Sequence, residues 1–104
     1  MADFQKKVDN FMKDNKMNNP IEYRFLDLIS ELGEVAKEMI KMTDYGTKKS
    51  KFRKEIVSEL GDAFYSLIAV ANYYDVDLEE ALNLILQKYS KRIKKGGHSG
   101  SDNE

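Results

Sequence analysis

Apolar residues recur every three or four positions through most of the chain, with polar residues between them. That spacing describes one face of an α-helix with 3.6 residues per turn. Four segments carry it. The first, Asp3 to about Asp14, is short, amphipathic and rich in Lys and Asp. Asn18-Asn19-Pro20 interrupts the pattern: Asn19 is placed to cap, Pro20 suits a first helical position, and Glu22 completes a capping box. A long helix is predicted from Pro20 to Met42, on Phe25, Leu28, Ile29, Leu32, Val35, Ala36, Met39 and Ile40. Asp44-Tyr45-Gly46-Thr47 ends it. A third helix, from about Lys51 to Tyr74, follows Ile56, Val57, Leu60, Ala63, Phe64, Leu67, Ile68 and Ala71. After Asp75-Val76, Asp77 caps a fourth helix with Glu80 at the capping-box position. It continues through Leu78, Ala81, Leu82, Ile85, Leu86 and Tyr89 to about Lys94. Residues 96–104 read as a disordered tail. With no strand-like alternation, the expected class is all-α: one domain over residues 1–95, a bundle of one short and three long helices.

Composition narrows the function more than the fold. The 104 residues carry 17 basic and 18 acidic side chains, a net charge of −1, which gives no argument for nucleic acid or a membrane as partner. The absence of cysteine excludes disulfides, zinc thiolate sites and cysteine nucleophiles. No apolar run approaches membrane-spanning length and the first helix is no signal peptide, so a cytoplasmic protein is expected. A unit this small, with apolar residues beyond one stripe per helix, is expected to form a homodimer or homotetramer.

The chemistry lies in a phrase that occurs twice, Ser30-Glu31-Leu32-Gly33-Glu34 and Ser58-Glu59-Leu60-Gly61-Asp62. Each copy sets two acids three apart, on one side of a helix. Helical projection places Glu31 and Glu59 about 100° from the centres of their apolar stripes, and Glu34 and Asp62 about 160°. Those are also positions of ordinary solvent-facing acids. Two details raise the pairs above that reading. Each copy holds a mid-helix glycine, costing about 1 kcal/mol relative to alanine and suggesting close helix approach. The intervening turn also lets the helices run antiparallel and the acids meet. Four gathered carboxylates repel unless protons or a cation neutralise them, and oxygen donors suit Mg²⁺, Mn²⁺ or Ca²⁺.

Glu31-x-x-Glu34, a gap of 24 residues, then Glu59-x-x-Asp62 resembles the metal-binding signature of the MazG-like all-α nucleoside triphosphate pyrophosphohydrolases. Further passages agree in order: Glu59-Leu60-Gly61-Asp62-Ala63-Phe64; Ala71-Asn72 with Val76-Asp77-Leu78-Glu79-Glu80-Ala81-Leu82; and Lys88-Tyr89-Ser90-Lys91-Arg92. The resemblance spans roughly residues 21 to 94. Departures are Ser30 and Ser58, where many members carry an acid, and Ile85 and Leu86, where many carry asparagine. Phosphoribosyl-ATP pyrophosphohydrolase is a related alternative, but it usually shows a histidine where Ser66 stands. A non-catalytic oligomerisation or nucleotide-binding regulatory module is the alternative from another class.

The resemblance implies that Glu31, Glu34, Glu59 and Asp62 hold Mg²⁺ and that water attacks the α-phosphorus of a (d)NTP, releasing (d)NMP and pyrophosphate. It implies phosphate contacts for Lys88 and Arg92, which share a helix face. Glu38 or Glu55 is a candidate to orient water. Asn72 is read as a base contact or as a cap for the break before Asp77, and the basic run Lys48 to Lys54 as a solvated turn.

Overall fold

The structure, a computed structural model, describes residues 1–96 and contains four α-helices and no strand among them: α1 (Asp3–Asp14), α2 (Ile21–Met42), α3 (Glu55–Tyr73) and α4 (Leu78–Gly96). The predicted tail, apart from Gly96 in the last turn of α4, lies outside the described residues.

Three expected boundaries shift, each for a local reason. Asn19 does not cap α2. Pro20 takes the N-cap position in extended conformation and no side chain caps it. The Asn19 carbonyl instead accepts a hydrogen bond from Arg24 Nε at 2.9 Å. The third helix begins at Glu55 rather than Lys51, because the preceding residues are held elsewhere. The Lys51 amide donates to the Met42 carbonyl at 2.9 Å, and Arg53 donates to the Glu38 carboxylate. The fourth helix runs two residues past Lys94. Its predicted cap is present: the amides of Glu79 and Glu80 donate to Asp77 Oδ1 at 2.9 and 3.3 Å.

Helices α2 and α3 form an antiparallel hairpin. Cross-helix contacts run in opposite directions: Arg24 meets Ala69, Glu31 meets Glu59 and Asp62, and Glu38 meets Arg53. The seam is the main surprise. The sheltered positions of α2 are Ile21, Arg24, Leu28, Glu31, Val35, Glu38 and Met42, spaced alternately three and four apart. Those of α3 include Ile56, Glu59, Ala63, Ser66 and Val70. This is coiled-coil spacing, with polar groups at about half the α2 positions. Of the apolar stripes expected to face the core, Leu28, Val35, Ile56, Ala63, Ile68 and Ala71 are sheltered, while Phe25, Ile29, Leu32 and Met39 on α2 and Val57, Leu60, Phe64 and Leu67 on α3 lie exposed on the outer side.

Helix α1 crosses α3, with Phe4 against Phe64 (centroids 5.0 Å apart) and Phe11 edge-on to Tyr65 (6.3 Å). Gln5, 1% exposed, ties it down. Its amide donates to Asn72 Oδ1 and the Val76 carbonyl and accepts from the Leu78 amide, at 3.0, 2.8 and 2.9 Å. A buried amide with every group paired fixes the corner from which α4 departs. The extensive packing is α2 on α3 and α1 on α3, and α4 does not fold back to close a bundle within one protomer.

Candidate metal centre

The acids meet midway along the hairpin seam. One carboxylate oxygen each from Glu31, Glu59 and Asp62 lies within 4.8 Å of the others. Glu31 and Glu59 occupy seam positions and are half-buried, while Asp62 opens to solvent. Antiparallel packing accounts for the meeting, since it brings the middle of α2 opposite the early turns of α3. The Glu31 carboxyl is pushed above the usual carboxylate range, first by loss of hydration and then by the charges of Asp62, Glu59, Glu34 and Asp27. Asp27 is one turn before Glu31 on α2, a neighbour readable from its i−4 spacing but not singled out.

The donor set fits a hard divalent cation, being all carboxylate oxygen and electrostatically uncompensated. Two oxygens on one Mg²⁺ are at most about 4.2 Å apart, and on Ca²⁺ about 5 Å, twice the respective bond lengths. The separation found here is compatible with either after a small side-chain adjustment.

The other expected residues divide. Glu34 is outside this trio: at i+3 from Glu31 it is rotated about 60° around the helix. It pairs instead with Lys37 at 3.9 Å on the surface. Glu38 is not available to orient water, because it is 5% exposed and bound to Arg53. Nothing ties Glu55 to the trio; its charge acts on Arg53. Asn72 is not a cap: it accepts from Gln5 Nε2 and donates to the Gln5 carbonyl at 3.0 Å. It sits ten residues beyond Asp62, about 15 Å along α3. Lys88 is exposed on α4, and buried Arg92 places its guanidinium 5.6 Å from the Tyr89 ring centroid. Neither is brought to the acids within one protomer. The glycines are also reassigned. A Cβ added at Gly33 or Gly61 meets nothing within 4 Å, so close approach of α2 and α3 does not require them.

The sequence profile of the MazG nucleotide pyrophosphohydrolase domain matches residues 22–97, a span that includes every acid of the cluster. The chain belongs to the MazG family. A relative within reach is the uncharacterised protein YpjD of Bacillus subtilis (strain 168), 33% identical over 99 residues, covering 90% of this chain and 86% of YpjD. The crystal structure of YpjD, which designates it only a candidate pyrophosphatase, superposes with a TM-score of 0.72 over 88% of this chain and 94% of its own. This MazG chain therefore shares both the all-α fold and the family of YpjD. Among its described residues no helix is long and apolar enough to cross a membrane.

Proposed function

We propose that the chain is a Mg²⁺-dependent nucleoside triphosphate pyrophosphohydrolase, releasing a nucleoside monophosphate and pyrophosphate. The observation that carries this reading is the convergence of Glu31, Glu59 and Asp62 on the seam of a MazG-family hairpin. When bound, the ion supplies Lewis-acid polarisation of the phosphates and offsets charge developing on them. The protein's own part is to hold three carboxylates at fixed spacing and to add Glu34 as a fourth. The Glu34–Lys37 contact that must yield is an exposed i,i+3 pair, worth at most about 0.5 kcal/mol.

The active assembly in this proposal is a homodimer or homotetramer. The outer apolar face of α2–α3 and the stripe Leu82, Leu86, Tyr89 and Ile93 of α4 are both exposed in a single protomer. A second copy laying its α4 on that face would bury both, and the phosphate role of Lys88 in this proposal rests on such an arrangement.

The deciding assay incubates the protein and Mg²⁺ with (d)NTPs, modified NTPs and phosphoribosyl-ATP, and scores monophosphate and pyrophosphate. Turnover is expected with at least one nucleotide, with kcat/KM lowered at least about 100-fold in Glu59→Gln and Asp62→Asn. Turnover unchanged in both variants refutes the site. No turnover with any nucleotide leaves the regulatory-module alternative.

A further inference from the structure

We infer that the cavity at the closed end of the hairpin binds a polyphosphate anion. Lys41, Lys48, Lys49, Lys51 and Arg53 line it, Phe52 forms part of its wall, and Asp44 is its one acid. Its volume is about 430 Å³. Segment 41–54 carries six basic side chains and one acidic one, a net of +5 in a chain whose total is −1.

A solvated lysine run needs no defined shape, and this one has it. Asp44, Tyr45 and Gly46 are three successive left-handed residues, at φ 49°, 60° and 84°. For the two non-glycines this conformation is costly and persists only where surrounding bonds impose it. Here the Tyr45 amide donates to the Ile40 carbonyl at 2.8 Å and the Lys48 amide to the Thr43 carbonyl at 2.9 Å. Thr43 Oγ1 accepts from the Gly46 amide at 3.0 Å, and Thr47 Oγ1 donates to the Asp44 carbonyl at 2.6 Å. The Lys51–Met42 backbone bond closes the base of the loop, and the buried Glu38 carboxylate holds Arg53 at its exit. The basic side chains are thus displayed on a fixed rim.

Among the described residues their counter-charge is only partly supplied: Arg53 pairs with Glu38. Lys48 pairs with Asp44 at 3.8 Å. Among the described residues no carboxylate lies within ion-pair distance of Lys41, Lys49 or Lys51. Like charges gathered on one rim set up a positive potential that draws an anion. A single phosphate carries about two negative charges, whereas a di- or triphosphate offers more charge and more acceptor oxygens to the three donors of each ammonium. Free pyrophosphate and the triphosphate end of a nucleotide share this chemistry. Arg53, at the edge of the cavity, lies six residues before Glu59 in the chain, and its partner Glu38 lies two turns after Glu31 on α2. Binding stands on the cavity alone. The cavity's place as the seat of the substrate's phosphate end rests on the pyrophosphohydrolase reading.

The test is calorimetric titration of the full chain in EDTA with pyrophosphate, tripolyphosphate and phosphate. Circular dichroism checks that each variant keeps its helices. Pyrophosphate is expected to bind and to weaken by about tenfold in Lys49→Ala/Lys51→Ala. Binding is expected to be unaffected in Asp62→Asn and in Lys6→Ala/Lys7→Ala, which removes equal charge from α1. No heat with pyrophosphate overturns the inference. So does an equal loss in the α1 variant, a loss confined to Asp62→Asn, or binding of a single-stranded oligonucleotide in preference to either polyphosphate. Absence of nucleotide turnover refutes the function proposed above and leaves this binding result standing.

Discussion

Glu31 is the described acid whose carboxyl is pushed upward by its surroundings. It shares a seam with Glu59, and Asp62 reaches the same point, so ionising it costs lost hydration and charge repulsion. Its folded-state pKa is raised above the unfolded one. In metal-free protein the folded state therefore holds this proton more tightly. No penalty applies below the unfolded pKa, and stability falls as pH rises through the folded value. The melting temperature in EDTA is expected to decline as pH climbs from the carboxylate range to neutrality, and Glu31→Gln is expected to remove part of that decline. Under the proposed function Mg²⁺ is expected to raise the melting temperature at pH 7, and the same substitution to abolish that rise. Thermal denaturation at several pH values, with and without Mg²⁺, checks all of this. A Glu31→Gln protein that melts like the original in EDTA at every pH would refute it.

At the scale of the element, the helices stop by a shared device. Lys16, Asp44 and Asp75 are left-handed, at φ 56°, 49° and 55°. Each next residue returns its amide to a carbonyl five back: Met17 to Met12, Tyr45 to Ile40 and Val76 to Ala71. This is the Schellman stop, usually built on glycine. Lys16 is exposed and carries a side chain where none is wanted. Lys16→Gly is expected to stabilise the fold by about 1 kcal/mol, read as a higher urea midpoint with an unchanged slope. The helices themselves were legible because the 3.6-residue period is long and Pro20, Gly46 and Asp77 punctuate it. Their inward faces were not. Periodicity reveals that Leu32 and Leu60 share a stripe with their neighbours, but not what covers the stripe. The true seam alternates Leu28 and Val35 with Glu31 and Glu38, so it escapes any search for apolar repeats. The acids were found by spacing and family likeness. That Glu34 turns away and Glu38 is spent on Arg53 depends on contacts between helices, which no local pattern encodes.

At the scale of the whole molecule the chain is extended rather than compact. Its radius of gyration is 17.1 Å, against about 13 Å for a compact domain of this length. Leu60 on the hairpin and Ile93 on α4 are each 53% exposed. An apolar surface this extensive is the basis of the assembly proposed above. Leu60→Lys is expected to shift the sedimentation coefficient from an assembled species to a monomer while keeping most of the helical signal. An unchanged coefficient would show that this face is not where copies meet. The hairpin beneath that face is pinned at both ends. Arg24 donates to the Ala69 carbonyl at 2.7 Å at the open end, and Arg53 grips Glu38 at the other. Between the pins, three carboxylates push against one another. The seam is thus fixed at both ends, with the repulsion of Glu31, Glu59 and Asp62 gathered at its middle, the point where the proposed cation would sit. Under the function proposed above, folding itself gathers three of the four carboxylates, and the swing of Glu34 away from Lys37 is the rearrangement left to the ion.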